Sequence, residues 1–311
     1  MTQSSGPILR LGTRGSPLAL AQARMVRQAL AAAHGFDAGQ VEITVIKTSG
    51  DRIQDRPLSE AGGKGLFTKE IEEALIAGSI DVAVHSSKDM PTVLPGGLVL
   101  SAFMEREDPR DVFISRKAKS IAELPQGATI GTASLRRQAM TKRLRPDLKV
   151  VSLRGNVETR LRKLKDGQVD ATILALAGLK RLGLERHATK IMDVGEFLPA
   201  VGQGAIGLET RADDDKTRQL IAPINDPATL TAVTAERAFL AVLDGSCKTP
   251  IAGHARIAGA ALSFRGLIAK PDGSKSFAAA REGAVIDAVA IGADAGRELK
   301  ARGGADFFEA H

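Results

Sequence analysis

The sequence predicts an α/β protein of more than one domain that ends in a small α+β tail, and three observations carry that reading. Short β-branched runs are followed repeatedly by stretches with apolar residues at helical spacing, the rhythm of strand, turn and helix. At 311 residues the chain is too long for one ordinary core. Past residue 250 the rhythm gives way to IAGHARIAG and ALSFRGLIAK, which read as paired strands, with PDGSK as a turn and 284 to 302 mostly helical.

ILRL, 8 to 11, is the first strand, and Ser16 with Pro17 opens a helix in which Leu18, Gln22, Met25 and Leu30 fall near helical spacing. Arg14 therefore stands in a strand-to-helix turn, where free N–H groups and a guanidinium make an anion site; the alternative is a solvated arginine. VEITVIKT, 41 to 48, is a strand. The polar stretch SGDRIQDRPLSEAGGKG after it, with Gly62, Gly63, Lys64 and Gly65, suggests a lid and fails the P-loop spacing. A helix, FTKEIEEALIAG, and a strand, SIDVAV, lead into HSSKDMP. His85, Ser86, Lys88 and Asp89 thus sit at the carboxyl end of a strand, where open α/β folds place ligands, although Asp89 alone also suits a cap or turn.

ATIGTAS, 128 to 134, runs into a helix whose first turn holds Arg136 and Arg137. Two cations there oppose the helix dipole, which implies either an anion that offsets the cost or a solvated face without core packing. KVVSLRGNVETRLRKLKDG repeats the arrangement, with Arg154 in the turn, Asn156 as N-cap and Arg160 near the helix start. ATILALAGLKRLG adds another strand and helix, the latter carrying Arg181. VGQGAIGLE holds a literal G-x-G-x-x-G at Gly202, Gly204 and Gly207. Pro199 precedes it and a strand follows, so it reads as a hinge or crossover and not as a dinucleotide site. Asp226 and Pro227 open an apolar helix to Leu243, which delivers the only cysteine, Cys247, into the turn-rich LDGSCKTPI. A lone cysteine is either a small buried hydrophobe or, on an accessible loop beside Lys248, a nucleophile or attachment point.

Composition narrows the classes. One cysteine excludes an internal disulfide framework and a Cys-rich zinc site, and the five histidines lack metal-ligand spacing, so no metal is expected. No signal-peptide core or membrane-length apolar run is present, which predicts a cytoplasmic chain. The net charge of +7 calls for an anionic partner. With no Trp or Tyr, ten Phe and no basic tail, nucleic acid fits poorly, and a small polycarboxylate gripped by arginines fits better.

TRGSPLALAQA, HSSKDMPT, GTASLRRQ, RGNVETRL, LPAVGQGAIGLE and GSCKTPI, in that order, resemble the porphobilinogen deaminase (hydroxymethylbilane synthase) family over residues 8 to about 255. The resemblance implies two periplasmic-binding-protein-like lobes with a cleft between them plus a small C-terminal α+β domain: 1-103 with 198-222, 104-197, and 223-311. It implies a transferase that joins four porphobilinogen molecules head to tail, on a dipyrromethane cofactor bound by a thioether to Cys247. Asp89 is the implied catalytic carboxylate. Lys88, Asp89, Thr132, Ser134, Arg136, Arg137 and Arg154 would hold the cofactor. Arg14, Ser16, Lys64, Ser86, Arg154, Arg160 and Arg181 would hold substrate. Each ring brings an acetate and a propionate, which suits several guanidiniums. The expected form is a monomer without nucleic-acid or membrane partners. The rival is a non-catalytic solute-binding protein of the same lobed fold.

Overall fold

The computed structural model describes residues 7–52, 65–243, 249–304 and 307. Lys64, Cys247 and Lys248, and most of the expected lid, lie outside the described residues. The chain forms two compact units, with described residues 7–52, 65–106 and 205–230 in the first and 107–204, 231–243, 249–304 and 307 in the second.

The first unit begins with β1 (Leu9–Arg14), α1 (Pro17–His34), β2 (Val41–Ile46), α2 (Ser49–Arg52), α3 (Lys69–Ile76), β3 (Val82–Ser86) and β4 (Leu98–Phe103). The chain then enters the second unit with β5 (Asp111–Ser115), β6 (Thr129–Gly131), α4 (Leu135–Leu144), β7 (Lys149–Val151), α5 (Val157–Lys165), β8 (Ala171–Ala175), α6 (Leu176–Arg181) and β9 (Lys190–Ile191). It returns to the first with β10 (Ile206–Arg211), α7 (Asp215–Ile221) and the start of α8 (Pro227–Val242), and ends in the second with β11 (Ile251–Ala258), β12 (Ala261–Ala269), β13 (Ser276–Ala284) and α9 (Ala288–Gly303).

Two five-stranded sheets share one topology. The first runs β2-β1-β3-β10-β4, with β1 parallel to β2 and β3, and β10 antiparallel to β3 and β4. The second runs β7-β6-β8-β5-β9, with β6 parallel to β7 and β8, and β5 antiparallel to β8 and β9. In each, the antiparallel strand is the one the chain lays down directly after changing units. Both faces are covered, because neighbours on a strand point opposite ways. Val82 and Val84 join the core under α1 with Val26 and Leu30, while Ala83 packs with Ile71 and Leu75 of α3.

On α1 the buried positions are Ala19, Gln22, Ala23, Val26 and Leu30; Met25, expected on that face, is exposed. Gln22 keeps its place because its amide exchanges hydrogen bonds with Ser86 Oγ at 2.9 and 3.1 Å. Ser16, Ser134, Asn156 and Asp226 all accept N-terminal N–H groups of the helices they precede.

The third sheet, β11-β12-β13, is fully antiparallel, and α8 and α9 cover it around Phe239, Phe264 and Leu299. Its Ala252, Leu267 and Ala269 share a core with Ile130, Met140 and Phe197 of the same unit. The strand β13 was not foreseen from SFAAAREGA; it exists through pairing with β12 at every one of its residues. A Cβ on Gly292 of α9 would lie 1.9 Å from the Ala235 carbonyl oxygen of α8. Gly292→Ala should therefore destabilise the protein by about 1–3 kcal/mol, despite a helix-propensity gain of up to about 1 kcal/mol. A thermal melt at or above the parent temperature would mean that the two helices separate freely.

Candidate active site

In the first unit the parallel strands β1 and β3 bring their carboxyl ends to one edge of the sheet. Arg14 closes β1, and Ser86 closes β3 just before a 3₁₀ turn of Ser87, Lys88 and Asp89. Arg14 is neither solvated nor loose. Its Nη2 lies 2.5 Å and its Nε 3.3 Å from the Asp51 carboxylate, and its guanidinium carbon stacks 4.1 Å from the Phe67 ring centroid. Burial raises Asp51, but the bonds and charge of Arg14, with Thr48, outweigh it and hold the carboxyl below its ordinary range. Ser16 is the N-cap of α1, its Oγ accepting from Ala19 N at 3.3 Å. Lys88 and Asp89 are exposed. The Asp89 carboxylate has no hydrogen-bond or ion-pair partner among the described residues, and the turn is closed by backbone, Met90 N to Ser87 O at 3.2 Å. The cap reading of Asp89 therefore has no support in the geometry.

Behind that turn, buried His85 meets Glu209 of β10 at 3.0 Å. Burial lifts Glu72 of α3, and Glu209 adds to the effect while the Thr68 hydrogen bond and His85 oppose it.

In the second unit Thr132, Ser134, Arg136 and Arg137 cluster where β6 becomes α4. Thr132 Oγ1 accepts from Ser134 N at 3.1 Å, and Ser134 Oγ from Arg137 N at 3.4 Å. The expectation that the twin arginines lack core packing is overturned: Arg136 and Arg137 are 6% and 5% exposed. The anion that offsets their cost is internal, Asp111 at the start of β5, 0% exposed. Arg137 donates to Oδ1 from Nε and Nη2 at 3.1 and 2.8 Å, and Arg136 Nη2 lies 2.7 Å from Oδ2. Burial works to raise Asp111, yet the charges of Arg136 and Arg137 outweigh it and keep the carboxyl below its usual range.

Arg154 and Arg160 flank the start of α5, both half-buried, with Arg160 Nε donating to Gly155 O at 2.8 Å. Arg181, at the end of α6, donates from Nη2 to Gly204 O at 2.6 Å. Burial is the main cause of its fall to about 10, against the opposing charge of Glu107, so it stays protonated at neutral pH.

Residues 198–204 join these groups. Arg136 Nη1 donates to Leu198 O at 2.7 Å, Gln203 Nε2 to Asp111 Oδ1 at 3.1 Å, and Gly253 N of the third sheet to Pro199 O at 3.1 Å. The buried Glu236 of α8 accepts from Gly202 N at 2.6 Å and Ala255 N at 2.8 Å. Gly204 has φ of +89°, and a Cβ there would lie 2.3 Å from Glu107 O, so only glycine fits. Asp111, Gln203 and Glu236 were not singled out from the sequence. The one available signal was a single acidic residue within the apolar run TAVTAERAFLAV.

Arginines stand near strand ends on two sheets of one topology, and an exposed carboxylate follows β3 in the first, which defines an α/β protein with polar groups gathered at the carboxyl ends of its parallel strands. The family model described as "Porphobilinogen deaminase, dipyromethane cofactor binding domain" matches residues 9–219, and that described as "Porphobilinogen deaminase, C-terminal domain" matches 230–301. The chain belongs to the porphobilinogen deaminase family, and it is accordingly a hydroxymethylbilane-synthesising transferase of tetrapyrrole biosynthesis with a dipyrromethane cofactor. A porphobilinogen deaminase of Nitrobacter winogradskyi is 63% identical over 96% of this chain and 94% of the relative. One of Nitrobacter hamburgensis is 62% identical over 98% of each. Among solved structures, the methionine binding protein MetQ superposes with a TM-score of 0.45 at 16% identity over 71% of this chain and 91% of its own. A periplasmic substrate-binding protein of an ABC transporter from Coxiella burnetii gives 0.43 at 18% over 74% and 97%.

Asp111→Ala should cost about 3–5 kcal/mol, since it strands two buried guanidiniums. Arg136→Leu leaves a matched Asp111 and Arg137, and should cost clearly less. Urea unfolding compares them; equal losses would show that the two arginines are not a charge pair sharing one anion.

Proposed function

We propose that the chain carries out its family's reaction with Asp89 as the catalytic carboxylate and Cys247 as the thioether attachment point. Lys88, Thr132, Ser134, Arg136, Arg137 and Arg154 hold the dipyrromethane. Arg14, Ser16, Lys64, Ser86, Arg154, Arg160 and Arg181 take the carboxylates of substrate and growing chain. On this reading residues 1-103 with 198-222 and 104-197 are the two lobes, 223-311 is the attachment domain, and the chain works as a cytoplasmic monomer on free porphobilinogen.

The observation that carries the reading is the exposed Asp89 carboxylate at the carboxyl end of β3, without a partner among the described residues. As ammonia leaves the aminomethyl group, positive charge develops over the pyrrole of the substrate, and a carboxylate already in place stabilises it without reorganisation. The same group exchanges protons with the pyrrole N–H or the leaving amine. The donor set fits a dipyrromethane, because buried guanidiniums in the first turn of α4 suit its acetates and propionates. When bound, that group supplies the free pyrrole carbon to which the first substrate is joined.

Intact-mass spectrometry of the denatured chain should give the sequence mass plus one dipyrromethane. An unmodified chain, or an adduct that survives Cys247→Ser, would remove the attachment role from Cys247. Asp89→Asn should fold and lose on the order of a hundredfold to a thousandfold in bilane formation, because the amide keeps shape but not charge. Near-normal turnover by a variant with native circular dichroism would leave Asp89 outside the chemistry.

A further inference from the structure

Arg136 and Arg137 are adjacent and buried, and Asp111 is the only carboxylate that pairs with either among the described residues. Their other contacts are neutral: Leu198 O accepts from Arg136, and Phe197 presents its ring 5.8 Å from the Arg136 guanidinium carbon. The first turn of α4 adds partial positive charge of its own. Two guanidiniums against one carboxylate leave a buried surplus of one positive charge, which a protein interior tolerates poorly unless an anion meets it.

The geometry points to Asp111 as a positioning residue that sets the charge of the twin-arginine pair: it neutralises one guanidinium and leaves a surplus that matches one ligand carboxylate rather than two. Gln203 keeps that carboxylate oriented without altering the count, since its neutral amide donates to Asp111 Oδ1 at 3.1 Å and to Pro109 O at 2.6 Å. Burial, the largest influence, pulls Arg136 below its ordinary value against the charge of Asp111, and Arg137 adds a smaller pull the same way. The inference rests on the reading that the pair binds cofactor carboxylates. It adds how many carboxylates the pair takes and which residue decides the number.

The test uses the full-length Cys247→Ser chain, which lacks the thioether sulfur, with sodium propionate as the probe at constant ionic strength. The slope of stability against the logarithm of propionate concentration counts the ions bound on folding. Four chains form a charge cycle: the parent with a surplus of one, Asp111→Asn with two, Arg136→Gln with none, and the double variant with one again. Relative to the parent, the slope should rise by about one propionate in Asp111→Asn, fall by about one in Arg136→Gln, and return in the double variant. Binding elsewhere on this basic chain is common to all four. If Asp111→Asn lacks native circular dichroism in propionate-free buffer, the propionate concentration that restores it becomes the readout, and Asp111→Glu, which keeps the charge, should fold in that buffer. Four parallel slopes, or an Asp111→Asn chain that no propionate concentration folds, would overturn the proposal. Bilane formation by the chain with Cys247 intact is assayed separately, so loss of the functional reading and loss of this inference give different results.

Discussion

A carboxylate with no exposure to water, facing two guanidiniums, is the interaction on which the second unit depends. Without Asp111, two arginines in the first turn of a buried helix would oppose both desolvation and the helix dipole. With it, both side chains are held in place by bonds within the unit. Residues 198–204 extend this order to the third sheet, through Leu198 O on one side and Pro199 O and Gly202 N on the other. The third sheet is thus hydrogen-bonded to the same segment that anchors the arginine cluster.

The shared sheet topology explains why so many polar groups fall at strand ends. Three parallel strands in each sheet point their carboxyl ends the same way, and a parallel strand must end in a crossover that leads into a helix. Those turns expose N–H groups and the first turn of a helix, which favour anions. The antiparallel strands β5 and β10 cover the remaining edge of each trio, so the sheet stays buried while its carboxyl edge is left for polar groups.

How much of this was legible follows from the range of each interaction. The caps at Ser16, Ser134, Asn156 and Asp226 act over three residues, and the sequence displayed them. Arg137 and Asp111 are 26 residues apart and Gln203 and Asp111 are 92 apart, so no local pattern linked them, and the sequence pointed to an anion for the twin arginines without showing that Asp111 supplies it. SFAAAREGA, rich in alanine, has little strand propensity of its own and becomes β13 only beside β12. Met25 lies just beyond the arc of α1 that Ala19, Gln22, Ala23, Val26 and Leu30 bury. Except for Lys64 and Arg181, the candidate residues lie in the six ordered motifs; their partners came from tertiary structure.

The partners also separate two kinds of carboxylate. Asp51 is held by Arg14, Asp81 by Arg10 with hydrogen bonds of 3.0 and 2.6 Å, and Asp111 by two arginines; in each, burial works to raise the carboxyl, and the guanidiniums' bonds and charges outweigh it, for Asp111 the charges most. Such an acid is already neutralised and has little field left for a reacting cation. A group that must stabilise charge in a transition state has to be fixed in place yet unpaired until the charge appears. Asp89 meets both requirements by a different route: the backbone bond from Met90 N to Ser87 O and the buried His85 and Glu209 pair behind β3 order the turn, so its own carboxylate is not needed to hold it. Arginine-bound aspartates thus build the frame, and the exposed Asp89 carboxylate at the end of β3 is not among them.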